Sequence, residues 1–191
     1  MNTQSDIKKF RLETAQSALV VIDIQEKLIP AISIDDAAAV LKNSAILIQG
    51  CRVFNLPLLV TEQYPKGLGK THPNLKLLLE NNQPYEKLSF SSFRQPDFRL
   101  ELERLKIRDI ILCGIETHVC VLQTALDLLE NGYRVFAAAD AMSSRSQFNH
   151  HTGLQIMGSA GVIIGSTETF LFQMLEEAGS ERFKQISKLV K

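Results

Sequence analysis

Short apolar runs alternate with stretches of helical spacing along nearly the whole chain. Residues 18–23 (ALVVID) form a continuous apolar run that ends on an acid, the pattern of a strand buried on both faces. Residues 35–54 then place Val40, Leu41, Leu47, Ile48, Cys51 and Phe54 at helical intervals, and Asn55-Leu56-Pro57 breaks that helix. Residues 58–62 (LLVTE) read as a second strand. Residues 63–73 carry glycines, prolines and lysines without periodicity and read as a loop. A short helix over 75–80 and a brief strand over 86–88 follow. Beyond them lie a helix over 97–106, with Leu102 and Leu105 inward, and a fourth strand over 109–113 (DIILC). A helix over 119–131 is closed by Gly132, where a left-handed backbone is favoured. A fifth strand over 134–139, a polar loop over 140–147, a helix over 149–159, a sixth strand over 161–165 and a helix over 167–178 complete the pattern. The segment 181–191 adds an amphipathic turn or two.

Six apolar strands interleaved with helices require parallel crossovers, and hence an α/β fold whose sheet is covered on both faces. With no linker, repeat or low-complexity stretch, residues 1–191 read as one domain. In such a sheet, ligands sit beyond the carboxyl ends of the strands. Those ends carry Asp23, Glu62, Lys87, the turn from Gly114 to Cys120, Asp140 and Gly165.

Composition narrows the function classes. Apolar residues make up 45% and charged residues 22%, and 21 Lys plus Arg balance 21 Asp plus Glu. A net charge near zero lacks the field that nucleic acid or an anionic membrane surface selects, so neither is expected as a partner. No apolar run approaches the ~20 residues of a bilayer span. The polar start, MNTQSDIKKFRLETAQ, lacks the apolar core of a signal peptide, so a cytoplasmic protein is expected. Cys51, Cys113 and Cys120 are too few and wrongly spaced for a disulfide framework or a zinc site.

Two motifs fail on context. The run Gly67-Leu68-Gly69-Lys70-Thr71 resembles the end of a phosphate-binding loop, but Tyr64 stands where its first glycine belongs. No strand runs into a triple-glycine turn, and no Gly-x-Ser-x-Gly elbow exists.

The segment IILCGIETHVCVL, residues 110–122, is different. A buried strand runs into Gly114, turns through polar residues and reaches Cys120 as a helix begins. A thiol in a first helical turn sits at the positive end of the macrodipole, which favours thiolate, and backbone N–H groups there can receive an oxyanion. Cys113 falls inside a strand and Cys51 on an apolar helix face, so both read as core. Asp23, ending the first strand, suits a proton acceptor. Lys87, ending the third, suits an ammonium between Asp23 and Cys120.

These pieces together resemble the isochorismatase-like cysteine hydrolase superfamily. The matching segments are VVIDIQEKL with Asp23, LLVTEQYP, EKLSFSSF with Lys87, and CGIETHVCVLQTALDL with Cys120. TEQYPKGLG, CGIE and SSRSQ are similar to one branch, the isochorismatase-domain-containing proteins. The resemblance implies a three-layer α/β/α sandwich around a six-stranded sheet of order 3-2-1-4-5-6, with Asp23, Lys87 and Cys120 as a catalytic triad. It also implies a cis peptide between Ile115 and Glu116, and an oxyanion hole from the backbone N–H groups of Glu116 and Cys120. A homo-oligomer, dimer or tetramer, is implied as well.

Departures refine that picture. Metal-binding relatives carry an Asp-x-His pattern after the second strand, whereas here TEQYPKGLGKTHP has only His72, followed by proline; neither a metal nor any other cofactor is expected. Cys120 tilts the reading from ether cleavage to acyl transfer on a small amide or ureido-type molecule. Two rivals stand beside it: an ether hydrolase using Asp23 and Lys87 alone, and a binding or scaffold protein with a vestigial site. Gln25, Tyr64, Phe90 and Phe93 are candidates for the substrate pocket. His118 suits a structural hydrogen bond or a subunit contact. His150 and His151 make a poor metal pair, and Arg145 suits an anion or a helix end.

Overall fold

The computed structural model describes residues 7–191. The first six residues of the polar N-terminal stretch lie outside the described part. Six strands form one parallel sheet: β1 (Ser17–Ile22), β2 (Leu58–Gln63), β3 (Tyr85–Lys87), β4 (Asp109–Ile115), β5 (Arg134–Ser143) and β6 (Ile163–Gly165). Their order is β3-β2-β1-β4-β5-β6. The longer helices are α1 (Ile34–Val53), α2 (Pro96–Leu105), α3 (Leu122–Glu130), α4 (Gln147–Ala160), α5 (Thr167–Leu175) and α6 (Glu181–Leu189).

Alternation along the strands builds two cores. Leu19 and Val21 of β1 join Val40, Leu47, Phe136, Phe170 and Ile186 under α1, α5 and α6. Ala18, Val20 and Ile22 join Phe98, Leu102, Val121, Leu128 and Met157 under α2, α3 and α4. This is why β1 reads as an unbroken apolar run: both its faces are buried. Local signals set the helix limits. Ser33 caps α1 by accepting from the Asp36 N–H, with Asp35 and Asp36 in the first turn. Gln95 caps α2 at 2.7 Å to the Phe98 N–H, with Pro96 opening the helix.

The sequence-based limits shift by a few residues at several element ends, a short helix (Pro65–Leu68) stands inside the expected 63–73 loop, and three further differences bear on the site. β5 continues to Ser143, into residues expected as loop, because a register shift past Leu112 lets Met142 and Ser143 pair with Gly114 and Ile115. Asp140, the polar residue that obscured this, is satisfied inside the strand by the Thr167 N–H at 2.7 Å and the Thr167 hydroxyl at 3.0 Å. The segment before α3 is a π-turn, Thr117–Val121, rather than the first turn of an α-helix. Asp23 lies one residue past β1 with φ 51°, turned out of the strand. Beside it the chains touch: a Cβ on Gly114, whose φ is +130°, would lie 2.0 Å from the Ile22 carbonyl oxygen. Only glycine lets β1 and β4 close there.

Candidate active site

Parallel β1 and β4 sit side by side at the centre of the sheet, so the residues after their carboxyl ends are neighbours. The Asp23 carboxylate is fully buried. Its Oδ1 accepts from the Thr61 hydroxyl at 2.7 Å, and its Oδ2 accepts from Lys87 Nζ at 2.6 Å. Lys87 reaches in from β3, its side chain also without exposure. Its ammonium donates further to Gln63 Oε1 at 2.8 Å, the Phe90 carbonyl at 3.0 Å and the Ser89 carbonyl at 3.3 Å. A buried lysine is tolerable here because oxygen surrounds it.

Cys120 completes the group. Its thiol lies within reach of both charges, the Asp23 carboxylate and the Lys87 ammonium. The π-turn that carries it is pinned by Val119 N–H and Val121 N–H, both donating to the Glu116 carbonyl. The Thr124 hydroxyl donates to the Cys120 carbonyl at 2.7 Å and accepts from Ser92 N–H at 2.9 Å, tying this turn to the loop after Lys87. Cys120 keeps 6% exposure, whereas Cys51 and Cys113 have none.

The expected thiolate is not the resting state. Burial pushes the Cys120 thiol up to about 12, the Asp23 carboxylate adds to the rise, and Lys87 opposes it. The helix-dipole argument overestimated the pull because Cys120 lies in the π-turn before α3 and faces an anion. Burial likewise pushes Cys113 up to about 12 and Cys51 higher still, but neither has the Asp23–Lys87 pair beside it.

The other candidates divide. The Ile115–Glu116 peptide is cis. Gln25 is fully buried and holds backbone: its Oε1 accepts from Gln63 N–H at 2.8 Å, and its Nε2 donates to the Gln63 and Gly69 carbonyls. Phe93 packs in the same core as Cys120, edge-on to Tyr133. Tyr64 and Phe90 are half exposed, and Tyr64 lines a cleft of about 340 Å³ with Pro65, Lys66, Glu86, Lys87 and Leu88. His118 Nδ1 meets the Ser144 hydroxyl at 3.0 Å. Arg145 binds the Glu116 carboxylate through its backbone N–H and its Nε, and His72 caps the turn at Asn74.

Sequence reasoning passed over Thr61 and Gln63. The signal was present, since Thr61 and Gln63 alternate onto one face at the polar end of β2. Their partners lie on other strands, so their role needed the assembled sheet.

The isochorismatase domain model matches residues 17–169. Isochorismatase domain-containing protein 2 of Danio rerio is 41% identical over 181 residues, covering 94% of this chain and 89% of its own length. Among solved structures, the MAR1 ribonuclease of Caenorhabditis elegans superposes with a TM-score of 0.87 at 40% identity, covering 94% of this chain and 92% of that one. The YcaC gene product of Escherichia coli, an octameric hydrolase of unknown specificity, shares the fold with a TM-score of 0.85 at 22% identity, over 94% of this chain and 90% of that one. A six-stranded parallel sheet in this order, a family match over most of the chain and whole-length relatives agree: the chain belongs to the isochorismatase family of hydrolases.

Proposed function

We propose that the protein hydrolyses a small amide or ureido-type substrate through a thioester on Cys120. The observation that carries this reading is the meeting of a carboxylate just past β1, an ammonium at the end of β3 and a thiol in the turn after β4, on a cysteine that keeps slight exposure. In the resting site Asp23 is the base. It takes the Cys120 proton as the sulfur attacks the substrate carbonyl, which becomes a tetrahedral oxyanion. The backbone N–H groups of Glu116 and Cys120 receive that oxyanion. The C–N bond then breaks as protonated Asp23 gives its proton to the leaving amine, and a thioester remains. Water attacks the thioester, its proton passing to Asp23, and the C–S bond breaks. The proton returns to sulfur, so the products are acid and amine.

Lys87 has three protons and four oxygen neighbours, so it serves as a fixed positive charge rather than a proton carrier. It offsets the charge on the sulfur while Asp23 is protonated. Tyr64, which shares a cleft with Lys87, and Phe90, exposed three residues after it, are assigned to hold a planar or apolar substituent.

The C. elegans neighbour is named as a ribonuclease, but the balanced charge of this chain favours a small neutral substrate over a polyanion. Three free thiols fit the reducing cytoplasm. Among the described residues no helix is long and apolar enough to cross a membrane. Phe148 and Ile156, eight residues apart on one side of α4, stay exposed, which supports association of copies of the chain.

The test is a panel of small amides and ureides incubated with the protein, followed by acid quench and peptide mass spectrometry. An acyl adduct on the Cys120 peptide, together with loss of turnover in Cys120→Ala, is the expected result. Retained turnover in Cys120→Ala would overturn it and give the reaction to Asp23 and Lys87 alone, as in ether hydrolysis.

A further inference from the structure

On the face of the sheet opposite Cys120, β2 carries a carboxylate that the hydrolytic chemistry does not use. Glu62 falls between Thr61 and Gln63 and alternates to the side of Val60 and Leu79, in the core under α1. Its side chain is 2% exposed. Oε1 is well supplied, accepting from the Thr71 N–H at 2.7 Å and the Thr71 hydroxyl at 2.8 Å. Oε2 is shielded from solvent and accepts no hydrogen bond. Its nearest cation is Lys70 Nζ at 3.5 Å, on a side chain 60% exposed. That ammonium makes its shorter contact, 3.1 Å, with Glu86.

Beside Glu62 lies a cavity of about 270 Å³, lined by Val60, Leu79 and Pro84 on its aliphatic part and by Lys70, Thr71, Lys76 and Glu80 on its polar part. Its charged groups are of both signs, and among them Glu62 Oε2 is the buried oxygen left without a donor. A buried carboxylate oxygen without a donor is unfavourable, and a mobile surface lysine compensates it weakly. An ammonium would supply the donor that Glu62 Oε2 lacks, and the aliphatic residues beside it suit a short hydrocarbon stem.

We propose that this cavity is a second binding site, for a small molecule bearing a primary ammonium on a short aliphatic stem. The ammonium donates to Glu62 Oε2 in place of Lys70, and the stem lies against Val60, Leu79 and Pro84. Lys70 acts as a built-in competitor that the ligand displaces into solvent. Lys70 and Thr71, the last two residues of the run that resembles the end of a phosphate loop, are on this account part of the wall of a cation site. The inference is independent of the hydrolase reading.

The test is a proton–nitrogen NMR titration of the full chain with n-butylammonium chloride, matched against n-butanol at equal ionic strength. A saturable shift of the Thr71 amide is expected with the amine and none with the alcohol. Lys70→Ala removes the competitor and tightens binding by about fivefold. Glu62→Gln weakens it by about tenfold or more. Lys70 is exposed, so its variant keeps the fold, which an unchanged spectrum away from the cavity verifies. No saturable shift in the wild-type protein, an equal response to the alcohol, or unchanged affinity in Lys70→Ala would overturn the proposal.

Discussion

A buried ion pair stands at each end of the sheet, and the two are built differently. At the amino end, Asp109 opens β4 and faces Arg134, which opens β5 in register with it. Both carboxylate oxygens are held by the guanidinium fork, and Oδ2 also accepts from Glu13 N–H at 2.7 Å. At the carboxyl end, Asp23 meets one lysine nitrogen and one threonine hydroxyl, with a thiol alongside. A planar fork that stays charged fixes the chain and exchanges no proton. A carboxylate gripped once at each oxygen, beside a thiol hydrogen, can exchange one. Burial and pairing alone therefore do not mark an active site; the neighbour that can give up a proton does.

Breaking the two ends should separate chemistry from stability. The largest effect is expected from Cys120→Ala, which should lower turnover by ~10⁴-fold or more while leaving the melting transition nearly in place, as steady-state rates and calorimetry would register. Asp23→Asn should lower turnover by ~10³-fold or more and also lower stability, because Lys87 loses its anionic partner in the interior. Asp109→Asn should instead cost about 3 kcal/mol in denaturant unfolding and leave the turnover of each folded molecule unchanged. If Asp109→Asn slowed turnover as Asp23→Asn does, the contrast between the two ends would collapse. The smallest effect is expected from Thr61→Val, which deletes one donor to Asp23 and should slow turnover about tenfold with little change in stability.

What could be read in the chain, and what could not, follows the same physics. β1, β2 and β4 were legible because burial on both faces writes a continuous apolar run. Asp23, Lys87 and Cys120 could be singled out as candidates because each stands at or just beyond the end of a strand, positions that sequence periodicity locates. The second half of β5 was not, since Asp140 looks like loop until Thr167 satisfies it. Gln25 looked like a pocket residue, but its amide is consumed by the backbone at Gln63 and Gly69, a contact between distant segments that no local pattern encodes. The thiol's resting state was misjudged for a similar reason. The helix end was visible along the chain, while the carboxylate facing it came from another strand.

The central claim, that Asp23, Lys87 and Cys120 form one electrostatic unit, can be tested without a substrate. Iodoacetamide alkylation of Cys120, followed by peptide mass spectrometry across pH 7 to 11, reads the thiolate fraction directly. With the thiol at about 12, the rate should climb about tenfold per pH unit without a plateau. Removing the carboxylate that raises the thiol should lower its pKa, so Asp23→Asn should alkylate faster at each pH even as turnover falls; Lys87→Met should alkylate more slowly. Identical profiles in the wild-type protein and both variants would contradict the account.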